Sequence, residues 1–181
     1  MAIRTLMEAF MSLPQPEQLL ENMANQLQSQ FIKSDEDVLV IGIHSGGAWI
    51  AQELHQRLNL KSELGSLDIS FYRDDFTQKG LHPQVKGSVL PEIENKTIIL
   101  VDDVIMSGRT IRAAMNELFD YGRPNKIILA CLLDAGRREL PIQADVVGET
   151  IELKTNERIK LNGPQPLVLS LASIMSQENQ A

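Results

Sequence analysis

Asp102 and Asp103 stand side by side at the end of an apolar, β-branched run, and after Val104-Ile105-Met106 come the small and polar residues Ser107-Gly108-Arg109-Thr110. Adjacent carboxylates repel unless donors or a cation hold them. The pair is therefore expected to serve a ligand, by accepting hydrogen bonds from a ribose diol or by facing a hydrated Mg²⁺. The loop behind it leads into a helical pattern, and a helix start offers unpaired backbone N–H groups and a positive dipole end to an anion. Ser107, Gly108 and Thr110 let the backbone approach closely and add hydroxyl donors. The chemistry that fits is recognition of a ligand carrying both hydroxyls and a phosphate. The plain alternative is a strand-end turn leading into a capped helix.

These residues need a scaffold. Thr97 to Val101 is long enough for one buried strand. Ile111, Ala114, Met115 and Leu118 recur at helical spacing, with Gly122 where a C-terminal cap belongs. A second unit of the same kind lies upstream: a buried strand at Val38–Ile43, a turn at His44-Ser45-Gly46-Gly47, and a helix from Ala48 to Leu58. That turn has neither the GxGxxG spacing nor the Gly-Lys-Thr/Ser of a P-loop. Ile127–Leu133 reads as a third buried strand, and residues 14–31 as a helix with Leu20, Met23, Leu27 and Phe31 on one face. Strands alternating with helices predict an α/β domain on a parallel sheet, with ligands bound beyond the carboxyl ends of the strands. Leu64–Arg73 alternates as a strand would. Asp74–Val89 has little periodicity and reads as an active-site lid or, alternatively, as the tip of a hairpin. Short strands are expected at Asp145–Gly148, Thr150–Leu153 and Arg158–Leu161, and an apolar stretch at Leu167–Ile174. No boundary divides the chain, so residues 1–181 are expected to form one domain.

The 181 residues are 43% hydrophobic and carry a formal net charge of −7. That balance argues against general binding to nucleic acid or to an anionic membrane. The apolar runs are strand-length, no secretion signal is apparent, and no membrane segment is expected. Cys131 is the single cysteine and lies in an apolar run, where a buried structural thiol is expected; the natural compartment is the cytoplasm. His44, His55 and His82 are scattered, with no zinc spacing.

The segment from Thr97 to Thr110 resembles the phosphoribosyl-pyrophosphate (PRPP) signature of the type I phosphoribosyltransferases. Phe71-Tyr72-Arg73-Asp74-Asp75-Phe76-Thr77 with His82-Pro83, then Gly122-Arg123-Pro124, Arg138-Glu139-Leu140-Pro141-Ile142, Ala144-Asp145 and Val147-Gly148, narrow the resemblance to the pyrimidine-operon regulator (PyrR) family, whose members are also uracil phosphoribosyltransferases. The likeness covers roughly Val38 to Leu161. Three departures fall in the site: Ser45-Gly46 where the family has Thr-Arg, Met106 where it has Tyr, and Asp134-Ala135-Gly136 where it has Asp-Arg-Gly. Each missing arginine removes a charge-assisted contact of ~1–3 kcal/mol.

The resemblance implies a parallel-sheet phosphoribosyltransferase fold with a core about 38–161, a lid about 74–89 and a hood about 134–165. It implies displacement at the anomeric carbon of PRPP by uracil, yielding uridine monophosphate (UMP) and pyrophosphate, with Mg²⁺ as cofactor and a role in regulating pyrimidine synthesis. Asp102 and Asp103 are assigned to the ribose diol and, through PRPP or water, to the metal. Val104, Ile105, Met106, Ser107, Gly108, Arg109 and Thr110 are assigned to the sugar phosphate, with Arg109 otherwise a surface residue. Ser45, Gly46 and Gly47 are assigned to pyrophosphate, Arg73 and His82 to the lid, and Arg138 and Ile159 to the hood over the base. A homodimer or higher homo-oligomer is implied.

Two readings compete within this frame, a nucleotide-sensing regulator without turnover and a purine phosphoribosyltransferase. A receiver domain also pairs Asp at a strand end but lacks the phosphate-type loop. Family members in some bacteria bind operon mRNA through a basic face. Here residues 1–37 hold two basic residues (Arg4, Lys33) against six acidic ones (Glu8, Glu17, Glu21, Asp35, Glu36, Asp37). Tight RNA binding is therefore not expected.

Overall fold

Long apolar runs that bury both faces of a strand belong inside a parallel sheet covered on two sides, and that is where this chain puts them. The computed structural model describes residues 13–33, 37–69 and 87–173. The elements are α1 (Pro16–Gln30), β1 (Val38–Ile43), α2 (Gly46–Arg57), β2 (Leu64–Leu67), β3 (Thr97–Ile105), α3 (Arg109–Tyr121), β4 (Lys126–Asp134), β5 (Val146–Thr150), β6 (Glu157–Asn162) and β7 (Val168–Ser173). Five strands form one sheet in the order β2-β1-β3-β4-β5, every pair parallel.

Side chains alternate across that sheet. Val38 and Val40, Ile99 and Val101, and Ile128, Ala130 and Leu132 face α1 and α2. Leu39, Ile41 and Ile43, Ile98 and Leu100, and Leu129 and Cys131 face α3 through Ile111, Ala114 and Leu118. Pro16 begins α1, where its missing N–H goes unused. Arg57 at the end of α2 ties it to α1 through Glu17 (2.7 Å) and Glu21 (3.1 Å).

The remaining strands, β6 and β7, pair antiparallel as a separate hairpin. Ile159, Leu161 and Leu169 anchor it to the α1/α2 side of the core. Its turn lies so close to Trp49 of α2 that a Cβ on Gly163 would stand 2.8 Å from the indole.

Several boundaries differ from the sequence reading. β3 continues to Ile105 because β4 pairs with it as far as Asp134, so Asp102 and Asp103 lie inside the strand's last stretch. Helix α2 starts at Gly46, two residues earlier than the apolar pattern indicated, since the glycines form its first turn. β2 ends at Leu67, β5 is one strand ending at Thr150, and Leu153 lies outside any strand. Gly122 does cap α3, but in extended backbone (φ 171°), its N–H donating to Leu118 O at 3.2 Å.

Candidate functional site

Strand order locates the site. The chain leaves β1 toward β2 on one side, while β3 and its successors lie on the other, so a crevice opens where the β1 and β3 connections part. Pairing of β1 with β3 stops at Gly42 and Val101. The last four residues of β3 thus run on without that neighbour, and the first turn of α2 packs there instead. A Cβ on Gly47 would meet Val101 O at 2.5 Å, and one on Gly46 would meet Asp103 Cγ at 2.6 Å. Only glycine allows this approach.

At this end a pocket of about 440 Å³ opens, lined by Asp102 through Ile111 on one side and by Ile69, Leu153, Arg158 and Ile159 on the others. Asp102 is buried and its carboxylate accepts the Asp103 N–H at 2.9 Å. Asp103 is half-buried, and its carboxylate accepts the Val104 N–H at 3.0 Å. Both carboxylates are thus oriented by backbone donors at the strand end.

The 106–108 loop is held from behind by residues 135–140. Ile105 O accepts from Ala135 N (2.9 Å), and Ser107 O from Glu139 N (3.0 Å) and Leu140 N (3.1 Å). In a trans peptide the N–H points opposite to the carbonyl of the same unit. Because these carbonyls are held by residues 135–140, the N–H groups of Met106 and Gly108 turn the other way, to the side of the pocket. Gly108 is left-handed (φ 91°), which lets the chain turn from loop into α3. Ser107 Oγ accepts the Arg109 N–H at 3.3 Å.

Of the residues assigned from sequence, Asp102, Asp103, Val104, Ile105, Met106, Ser107, Gly108, Arg109, Thr110 and Ile159 all line this one pocket. Gly46 and Gly47 sit beside it, against Asp103 and the β3 backbone. Arg73, His82 and most of the 74–89 segment fall outside the described residues. Arg138 is not part of the pocket lining. Its guanidinium reaches backward to Met106 O (2.8 Å), Ile142 O (2.7 Å) and Asp134 Oδ2 (2.6 Å). Asp134 and Arg138 are four residues apart on a tight segment, so the cation is drawn to the carboxylate below the loop and away from the hood.

Arg109 Nε donates to Glu139 Oε2 at 2.8 Å, with both side chains more than half exposed. Such an exposed pair is worth ~0–1 kcal/mol. Ile69, Ile111, Leu153 and Arg158 were not singled out from sequence. Ile69 and Ile111 read as ordinary core positions, and Leu153 and Arg158 reach the pocket only because the β6–β7 hairpin docks over it. Arg158 follows Glu157 at the start of a strand that alternates exposed and buried, a pattern that hints at one face over the core but not at what lies beneath.

Cys131 is buried, and that burial, followed by the neighbouring Asp102 carboxylate, pushes its thiol well above the ordinary value. It stays protonated and has no nucleophilic role. Among the described residues no group of three or more His, Cys, Asp or Glu is arranged to hold a metal, and no helix is long and apolar enough to cross a membrane.

The family model for the phosphoribosyl transferase domain matches residues 8–164. The chain is 57% identical over 166 residues to the bifunctional protein PyrR of Pseudomonas syringae pv. tomato, covering 91% of this chain and 98% of that one. It is 57% identical over 161 residues to the bifunctional protein PyrR of Pseudomonas aeruginosa, covering 88% and 95%. The likeness therefore extends through α1, well beyond the Val38–Leu161 span that carried it in the sequence. Among solved structures, the chain is similar to a hypoxanthine-guanine phosphoribosyltransferase from Bacillus anthracis (TM-score 0.62, 26% identity, 77% of this chain and 82% of that one). A hypoxanthine phosphoribosyltransferase from Staphylococcus aureus shares the fold (TM-score 0.60, 23% identity, 77% of each chain).

Proposed function

The chain belongs to the PyrR family of type I phosphoribosyltransferases, and from that premise we propose that its β3 pocket transfers the phosphoribosyl group of PRPP to uracil, forming UMP and pyrophosphate. The observation that carries this reading is the joining of two oriented carboxylates and the small-residue loop before α3 in one pocket of about 440 Å³.

The reaction breaks the bond from the anomeric carbon to pyrophosphate and forms one to a uracil nitrogen. Positive charge develops on the sugar as it flattens, so the protein must position and stabilise more than attack. Asp102 and Asp103 accept the ribose hydroxyls, and Asp103, half-exposed to the pocket, places negative charge near the ring. Residues Met106 to Thr110 take the 5′-phosphate through backbone N–H groups, the dipole of α3 and the hydroxyls of Ser107 and Thr110. Arg109 joins them by leaving Glu139. Ser45, Gly46 and Gly47 hold pyrophosphate by backbone, there being no arginine in that turn. Ile159 and Leu153 cover the base, and Arg158 is the cation at that side. Arg73 and His82, assigned with residues 74–89 to a lid, lie outside the described residues, and residues 134–165 supply the hood of a single working unit.

Mg²⁺ fits this donor set. Among the described residues no third ligand joins the two carboxylates to cage a resident ion, and the pair suits a hydrated one carried by PRPP, which Asp102 and Asp103 would hold through water or the ribose hydroxyls. Held there, such an ion would supply positive charge to offset the negative charge of the departing pyrophosphate. We place the activity in the cytoplasm and in a homo-oligomer.

Thermal shift separates the base classes. UMP with the protein is expected to raise its melting temperature by several degrees more than guanosine monophosphate does. Equal or greater stabilisation by the purine nucleotide would overturn the uracil assignment.

Gly46→Ala tests the contact between α2 and the acidic pair. Its Cβ must displace Asp103, so kcat/KM is expected to fall by about tenfold or more, while unligated melting drops by only a few degrees. Unchanged steady-state kinetics would show that Asp103 tolerates the shift.

The regulatory half of the proposal runs through a protein contact that depends on bound nucleotide, and not through a structured leader RNA. Helix α1 contains no Lys or Arg, and its Glu17 and Glu21 are already paired with Arg57 of α2. A helix face without cations of its own forgoes the counterion-release gain. A mobility-shift titration at ~150 mM salt with UMP present is expected to show no sub-micromolar complex with a pyrimidine-operon leader. A tight, salt-sensitive complex would refute this.

A further inference from the structure

We propose that Arg138 is a positioning residue that preorganises the 5′-phosphate cradle from behind; this rests on the reading of residues 106–110 as the phosphate loop. Arg138 touches no pocket surface, yet its three nitrogens meet three separate acceptors. Nη1 donates to Met106 O at 2.8 Å, Nε to Ile142 O at 2.7 Å, and Nη2 to Asp134 Oδ2 at 2.6 Å. The Met106 carbonyl is the one whose peptide unit carries the Ser107 N–H. With the carbonyl fixed toward Arg138, that N–H faces the pocket.

The neighbouring peptide units are fixed by backbone donors alone, Ala135 N on Ile105 O and Glu139 and Leu140 N on Ser107 O. Of these three units, the Met106–Ser107 one is held by a side chain. Without the fork it could rotate and turn a carbonyl oxygen toward the incoming phosphate. Asp134 completes the device. Its Oδ2 holds the guanidinium, while its Oδ1 accepts the Gly136 N–H at 2.8 Å and fixes the turn that carries Arg138. Glu139 then passes over the other side of the loop to Arg109. A planar, multidentate guanidinium suits this task, since a lysine ammonium cannot span Met106, Ile142 and Asp134 together.

The test compares wild type with Arg138→Met, which keeps the apolar stem, and Arg138→Lys, which keeps the charge. Affinity for ribose 5-phosphate is measured by calorimetry, and KM for PRPP and for uracil by steady-state kinetics. Arg138→Met is expected to weaken ribose 5-phosphate binding and to raise KM for PRPP by about tenfold or more. KM for uracil at saturating PRPP should stay within about twofold, a split that general loosening of the protein would not give. Arg138→Lys should lose nearly as much as Arg138→Met. Arg138→Ala should recover sugar-phosphate affinity when millimolar guanidinium is added. Wild-type affinity in Arg138→Lys, or an equal rise of both KM values in Arg138→Met, would overturn the role. Should Arg138→Met fail to fold, the lysine variant and the guanidinium rescue decide. If the wild-type protein itself bound no ribose 5-phosphate, the reading of the pocket would fall first and this inference with it.

Discussion

Changing Asp102 and Asp103 together to Asn is expected to abolish measurable phosphoribosyl transfer while the unligated protein still melts cooperatively. Each carboxylate is assigned a charge-assisted contact with the ribose diol, worth ~1.5–3 kcal/mol when removed. Losing both costs about 3–6 kcal/mol of transition-state stabilisation, or ~10²–10⁴ in kcat/KM. The fold should survive because an amide oxygen can still accept the Asp103 and Val104 N–H groups that the carboxylates hold now. Asp102 is the buried member at 4% exposure, so its replacement should account for most of any loss in stability. Steady-state release of pyrophosphate is the readout. A double variant with activity near wild type would remove the acidic pair from the chemistry.

Gly108→Val is expected to eliminate stabilisation by UMP. The reason differs from the simplest one, that a side chain would fill the cradle. A Cβ at Gly108 would point toward Ile142 (3.4 Å) and Leu140 (3.5 Å), behind the loop. The damage comes from the backbone: φ of 91° is a left-handed conformation that a β-branched residue avoids. Holding it costs ~1–3 kcal/mol, and relaxing it turns the N–H groups out of the cradle. For wild type, UMP at a hundredfold excess over its Kd should add ~2.7 kcal/mol, or ~5–10 °C for a domain of this size. That shift should vanish in the variant. Retention of the full shift would mean that the phosphate is held elsewhere.

Why some of this was legible beforehand is a matter of range. The three buried strands and α3 announce themselves through local periodicity, and the acidic pair with its small-residue loop is contiguous in the chain. So the fold class, the parallel sheet and nine of the assigned positions in the pocket, Asp102 to Thr110, follow from residues close together in sequence. What could not be read depends on distant partners. The extension of β3 to Ile105 is decided by where β4 continues beside it. The start of α2 at Gly46 is decided by a close approach to Asp103, which no helix propensity encodes. The resemblance assigns Arg138 to the hood over the base; only the fold shows three acceptors converging on it. Leu153 and Arg158 become pocket residues because a hairpin more than 40 positions beyond Asp102 folds back over the site.

On the proposed reading this pocket makes UMP from uracil and PRPP in spite of the two absent arginines, because backbone N–H groups, oriented carboxylates and Mg²⁺ suffice. Incubation of the purified protein with PRPP, Mg²⁺ and labelled uracil, with product resolved by chromatography, tests it most directly. Labelled UMP should accumulate in step with pyrophosphate and stop when PRPP or Mg²⁺ is withheld, and hypoxanthine or guanine in place of uracil should give little product. Saturable binding of UMP with no turnover of any base, or turnover of a purine base alone, would contradict the account.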